Sequence, residues 1–152
     1  MRKEPRGSFF YSRGFSLAEL VAVILIVSIL SAVAVARFRD GFAQTRGFHD
    51  QLLSQVQYAR KVAVAQRRSV FVRIDPAQSV LCYNAAGACV GVASPGGDVP
   101  FALNIPSVIN VTPASIEFDG LGRYPAGAPL TISVAGDETL QFTVEHETGY
   151  VR

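Results

Sequence analysis

The sequence predicts an α+β protein in which one long N-terminal α-helix packs on an antiparallel β-sheet head, and three observations carry that prediction. An uncharged apolar run, LVAVILIVSILSAVAVA, fills positions 20–36 behind a short basic tail. A stripe of apolar and small residues at helical spacing continues to Ala63. Beyond Arg68 the apolar period changes from 3.6 to 2. The 152 residues, 49% hydrophobic and 17% charged, fit one compact domain and exclude disorder over most of the length.

The first element is the apolar helix. Counted from Phe15 to Ala36 it has 22 residues, interrupted only by Glu19. At about 1.5 Å per residue it is roughly 33 Å long, enough to cross a hydrocarbon core of roughly 30 Å. Arg2, Lys3, Arg6 and Arg13 precede it against the single acid Glu4, which keeps the N-terminus cytoplasmic and sends everything after Ala36 across the membrane. Ala34-Val35-Ala36 has the small-residue look of a signal-peptide cleavage site. The apolar run is nevertheless longer than the roughly 7–15 residues of a signal peptide, and it leads into more helix. A plain signal anchor explains the length and leaves Glu19 without a task, although an unpaired charge in a bilayer costs about 3 kcal/mol.

The helix is expected to continue as an amphipathic stem. Phe38, Phe42, Thr45, His49, Leu52, Val56, Ala59 and Ala63 form one stripe, and most of the stem's arginines fall off it, so one face meets the head and the other meets water or a neighbour. Read through to Gln66, the whole helix would be roughly 78 Å long, with Gly41 and Gly47 as candidate bends. Val70–Ile74 and Ser79–Tyr83 then read as a hairpin turning at Asp75-Pro76. Short strands are expected at 101–105, 108–112 and 115–118, a second hairpin at 130–134 and 140–144, and a terminal strand at Tyr150-Val151. Charge is segregated to match: seven basic residues against two acidic in 37–68, and three against eight in 69–152.

Arg13-Gly14-Phe15-Ser16-Leu17-Ala18-Glu19-Leu20, followed by the unbroken apolar helix, resembles the class III leader of type IV pilins and type II secretion pseudopilins. The resemblance implies a leader, 1–14, cut by the membrane-embedded prepilin peptidase after Gly14, and N-methylation of the new terminus at Phe15. It assigns Glu19 to subunit assembly. Physical chemistry supports that role, because a carboxylate and a neighbouring subunit's α-amine offset each other's desolvation. The resemblance further implies a bacterial inner-membrane location with a periplasmic head, other pilin or pseudopilin subunits as partners, and an inner-membrane assembly platform. The expected domains are the leader, a membrane half over 15–36, a stem over 37–68 and a β-rich head over 69–152. Within the family the chain is similar to the GspH/FimT branch of minor pilins, with MSHA-type minor pilins nearby. Gln57–Ala63 running into Arg67-Arg68-Ser69-Val70, then Ile116–Arg123, and the closing Thr148–Arg152 carry that likeness.

Cys82 and Cys89, with six residues between them in an exported head, predict a disulfide rather than two small buried thiols. His49 and His146 lie in different segments, so no metal site is expected; no cofactor is expected either. Gly120-Leu121-Gly122-Arg123 lacks the spacing of a phosphate loop and reads as a turn. No nucleophile motif occurs, so the chain is not expected to be an enzyme. Some FimT-like proteins associated with DNA uptake end in Gly-Arg-x-Arg, whereas this chain ends Gly149-Tyr150-Val151-Arg152; with an acidic head, that argues against nucleic-acid binding. The expected function is a minor pilin or pseudopilin that joins or primes a type IV pilus or a type II secretion pseudopilus. The alternative is a membrane-anchored periplasmic module that binds a ligand or DNA.

Overall fold

The computed structural model describes residues 16–38 and 42–152, with the side chains of 32–38 left aside. The leader, Gly14, Phe15 and Gly41 lie outside the described residues, as does any continuity of the long helix through 39–41. The chain divides into two compact units at Phe38, each considered by itself.

The first unit holds α1, Leu17–Phe38. Ser16 starts it: its carbonyl accepts the Leu20 N–H at 3.1 Å, and its Oγ accepts the Glu19 N–H at 3.4 Å. Ser16-Leu17-Ala18-Glu19 has the Ser-x-x-Glu spacing of a capping box. Residues 16–31 are exposed on every side, an all-round apolar surface of the kind that needs a covering environment. Ser28 turns its hydroxyl inward to the Ile24 carbonyl at 2.6 Å, so its polar atom stays satisfied within the helix. Among the described residues no helix is long and apolar enough to cross a membrane. The stretch with described side chains, 17–31, is about 22 Å long.

The second unit is built on α2, Phe42–Gln66, which buries Thr45, Phe48, Leu52, Gln55, Val56, Ala59, Val62 and Ala63. The expected stripe is therefore correct at five positions and too narrow. Phe42 is exposed, His49 is half-buried, and Phe48, Gln55 and Val62 widen the buried face. Gly47 lies within regular helix. The helix stops where Arg67 takes φ 50°, and Arg68 N–H bonds back to Ala63 O at 3.2 Å while Arg67 N–H reaches Val64 O at 3.4 Å. That pair of bonds is a Schellman ending.

The head contains two antiparallel sheets where one was expected. The first comprises β1 (Val70–Ile74), β2 (Gln78–Cys82), β3 (Ala102–Asn104) and β5 (Ala114–Phe118), in the order β3-β2-β1-β5. The second comprises β4 (Asn110–Val111), β6 (Leu130–Ala135) and β7 (Thr139–Val144), in the order β4-β6-β7. Thr112-Pro113 carries the chain between sheets, and Pro113, having no N–H, ends the ladder there. β1 pairs with β2 through Val72↔Leu81 and with β5 through Val72↔Ile116. β6 and β7 pair through Ile132↔Phe142. The expected strand at 150–151 is a single bridge, Val144↔Val151. One core joins Val70, Val72, Ile116 and Phe118 of the first sheet, Ile132, Val134, Phe142 and Val144 of the second, and the buried face of α2.

Within that core Gln55 and Ser79 are both fully buried and polar. The Ser79 hydroxyl donates to Gln55 Oε1 at 2.6 Å, while Gln55 Nε2 donates to the carbonyls of Ser79 (3.3 Å) and Phe101 (3.1 Å). These bonds join the middle of α2 to β2 and to the residue preceding β3.

Candidate functional site

Of the residues assigned to processing and assembly, only Glu19 is described. It occupies the third helical position of α1, and its backbone N–H is held by Ser16. Its side chain is exposed. An acidic residue in a first turn complements the positive end of the helix dipole.

In the head, three segments distant in sequence meet at the C-terminal end of α2: 57–68, 119–123 and 148–152. Asp119 folds the middle one. Its Oδ1 accepts the N–H groups of Leu121 (2.9 Å) and Arg123 (2.8 Å), and its Oδ2 accepts Arg123 Nε at 2.9 Å. Partial desolvation pushes the Asp119 pKa up, but the bonds from Arg123 and Leu121 together outweigh it and hold the carboxyl below its ordinary value. The Gly122 N–H closes the turn on Asp119 O at 2.8 Å. Arg60 then reaches across from α2 and donates Nε–H to Gly122 O at 3.1 Å.

Two glycines permit this meeting. Gly122, at φ 77°, lies so close to α2 that a Cβ would stand 2.7 Å from Val64 Cγ2. Gly149, at φ 59°, lies where a Cβ would collide with the Gly122 carbonyl oxygen. Leu121 is left at the tip of the turn, 71% exposed, beside exposed Val64. Beside them runs a groove of about 200 Å³ lined by Gln57, Arg60, Lys61, Gly149, Tyr150 and Val151.

Six cations surround this end, and four are engaged. Arg60 holds Gly122, Arg68 stacks 3.7 Å above the Tyr83 ring, Arg123 pairs with Asp119 and Arg152 pairs with Glu145 at 2.8 Å. Among the described residues only Lys61 and Arg67 at this end have no such partner. The surface is thus apolar with a thin basic edge.

The remaining sequence candidates fall elsewhere. Cys82 and Cys89 are bonded, with Cα atoms 5.3 Å apart, and close a loop at the end of β2. Asn84 braces that loop from within through Ala86 O, Ala88 O and the Val90 N–H, and Arg73 reaches it at Gly87 O. His49 stands edge-on to Phe142 beside Asp50, and His146 lies after β7 near Glu147. Among the described residues no three His, Cys, Asp or Glu side chains gather as metal ligands. At the other end of α2, Arg46 makes a two-pronged pair with Glu138 of the β6–β7 turn. The hydrogen bond from Arg46, with its charge, holds the Glu138 carboxyl below its ordinary value. This pair leaves no signature in sequence, because its members are 92 residues apart.

The prokaryotic N-terminal methylation motif matches residues 10–35. Two crystal structures of the type IV minor pilin FimU from Pseudomonas aeruginosa share the fold. One aligns with a TM-score of 0.58 at 14% identity, covering 72% of this chain and 87% of FimU. The chain carries the methylation motif and shares the FimU fold. The second FimU crystal form aligns with a TM-score of 0.54 at 15% identity, covering 68% of this chain and 86% of FimU. No curated protein matches the sequence significantly.

Proposed function

We infer that this chain is a minor pilin-type subunit that enters the inner membrane once, with its N-terminus cytoplasmic and its head periplasmic. Prepilin peptidase cuts after Gly14, Phe15 is methylated, and the mature subunit joins or primes an envelope filament, a type IV pilus or a type II secretion pseudopilus. The observation that carries this reading is the methylation motif over 10–35 on a chain whose head has a minor-pilin fold. The apolar sequence from Phe15 to Ala36 supports the membrane step, being long enough to span a bilayer. Glu19 supports the assembly step, since a carboxylate at the entrance of an apolar helix is stabilised by a neighbour's terminal amine.

The α2 end of the head supports a protein partner over nucleic acid. Phosphate-driven binding needs several clustered cations, and four of the six here already serve intramolecular contacts. Intact-mass measurement of the membrane-extracted protein tests the reading. A mature chain beginning at methylated Phe15 is expected, and one beginning at Arg37 overturns it.

A further inference from the structure

The first sheet ends on an edge that the rest of the head leaves open. Asp75 N–H bonds Gln78 O across the β1–β2 turn at 2.9 Å, so Arg73 and Phe71, two and four residues before it, direct their backbone groups to β2. Antiparallel bonding alternates along a strand. Val70, Val72 and Ile74 therefore bond Phe118, Ile116 and Ala114 of β5, and the N–H and C=O groups of Ser115 and Glu117 point away from the sheet. No other described residue bonds them. The other edges are shorter or partly covered. β3 has three residues and lies between Pro100 and Pro106, neither of which has an N–H, and β4 has two residues. Beyond β7, Thr143 and Glu145 donate their N–H groups to Arg152 and Tyr150.

A trough of about 320 Å³ runs beside the β5 edge. Ser115, Glu117 and Phe71 line it, with Ala85 of the disulfide loop and Tyr124 and Pro125 of the segment after the Asp119 turn. Phe71 and Glu117 are cross-strand partners, so their side chains leave the same face of the sheet, opposite the buried face of Val70 and Val72. Glu117 is the one charged residue lining the trough among the described residues. One of its oxygens, Oε1, accepts the Ser69 hydroxyl at 2.9 Å, and Oε2 has no partner among the described residues. Arg73, on the same face, donates Nη1–H to Gly87 O and makes no ion pair with Glu117.

We propose that the β5 edge binds an extended segment of a different protein, which joins the first sheet as a fifth strand and places a lysine or arginine beside Glu117. The proposal goes beyond the filament reading and does not rest on it. Backbone pairing along Ser115–Glu117 supplies the affinity, and the trough selects the side chain. The apolar stem of the incoming cation lies on Phe71 while its charged head meets Glu117. Pro113 has no N–H, and the Asp119 N–H is taken by Arg123 O, so the added strand is limited to about five residues. A second copy of this chain does not fit as the occupant. Its edge strands β3, β4, β5 and β7 carry no lysine or arginine, and a second β5 would bring another glutamate to the trough.

Hydrogen exchange of the full chain in detergent micelles, followed by NMR, tests the proposal. The probes are the peptide acetyl-Thr-Val-Lys-Val-Thr-amide and the same peptide with glutamate at its centre. At millimolar concentration the lysine peptide should slow exchange of the Ser115 and Glu117 amides at least about tenfold, and the glutamate peptide should not. N-methylation of the lysine peptide at the amides that face β5 should abolish the protection, because the side chains are kept and the backbone donors are lost. Glu117→Gln should weaken binding of the lysine peptide at least about fivefold. Unchanged exchange of the β1 and β2 amides verifies that this variant is folded.

Equal protection by the lysine and glutamate peptides overturns Glu117 as the selector. Binding of the N-methylated peptide overturns strand addition, and absence of protection with every peptide overturns the whole proposal. Protection that arises without peptide and grows with protein concentration assigns the edge to a second copy instead. None of these readouts depends on where the mature chain begins, so the filament reading stands or falls separately.

Discussion

Glu19 combines two roles that can be separated at the level of one side chain. As the third residue of a Ser-x-x-Glu start it favours α1, and as a carboxylate it is available to a neighbouring amine. Glu19→Gln keeps a capping-box residue and removes the charge, whereas Glu19→Ala removes both. Both variants should insert and be cut after Gly14, and neither should enter the filament, which pull-down of processed subunits measures. Incorporation of the Gln variant alone would show that helix capping, not charge pairing, is what Glu19 contributes. Gly149 presents a second single-residue case. Gly149→Ala combines a strained φ of 59° with a collision against Gly122 O, so it should cost at least about 2 kcal/mol. Gly127→Ala shares the positive φ, 78°, with nothing within 4 Å, and should cost only about 1 kcal/mol. Urea unfolding of the two variants checks the difference, and equal midpoints would show that the junction yields.

At the scale of elements, the 82–89 loop is held twice. The disulfide closes a short loop, and Asn84 with Arg73 ties the same loop by hydrogen bonds. Replacing both cysteines by alanine should therefore lower stability by about 2–3 kcal/mol and leave the two sheets intact. Denaturation midpoints and hydrogen exchange of the β1–β2 hairpin amides measure this, and loss of protection throughout the head would show that the disulfide supports more than its loop. The turns at opposite ends of α2 depend on ionised acids. Glu138 pairs with Arg46, Asp119 with Arg123, and both carboxyls are held below their ordinary values. Their contribution is present above the unfolded-state carboxylate pKa, about 4, and is lost as pH falls through the lowered folded values, because there the unfolded chain binds more protons. Stability followed from pH 6 to pH 2 should decline along this limb. Glu138→Gln combined with Asp119→Asn should flatten it, and an unchanged acid limb would assign the decline to other groups.

The whole molecule divides its surface by function. α1 presents apolar side chains on every side over 16–31, which suits lipid or the interior of a filament. α2 gives one face to a core shared by both sheets and leaves the other outward. The head has its own core, so residues of the N-terminal segment can be altered without dismantling the fold of the head.

How much of this was legible in the sequence depends on the range over which each feature is encoded. Apolar periodicity is local: it revealed the apolar helix, the stem stripe at Thr45, Leu52, Val56, Ala59 and Ala63, and the hairpins at 70–83 and 130–144. The leader motif is a contiguous string, so the methylation motif was readable from Arg13 to Leu20. The tertiary structure decided what depends on distant residues. Gln55 reads as a solvent-facing amide until Ser79 and the Phe101 carbonyl supply its partners, since a buried polar group is stable only where those partners exist. One sheet became two because strand order depends on which edges meet after Pro113. The junction of Arg60, Gly122 and Gly149 arises only when three segments approach more closely than any side chain at those glycines would allow. Local pattern specified the elements, and steric fit with hydrogen-bond satisfaction across the chain specified how they are joined.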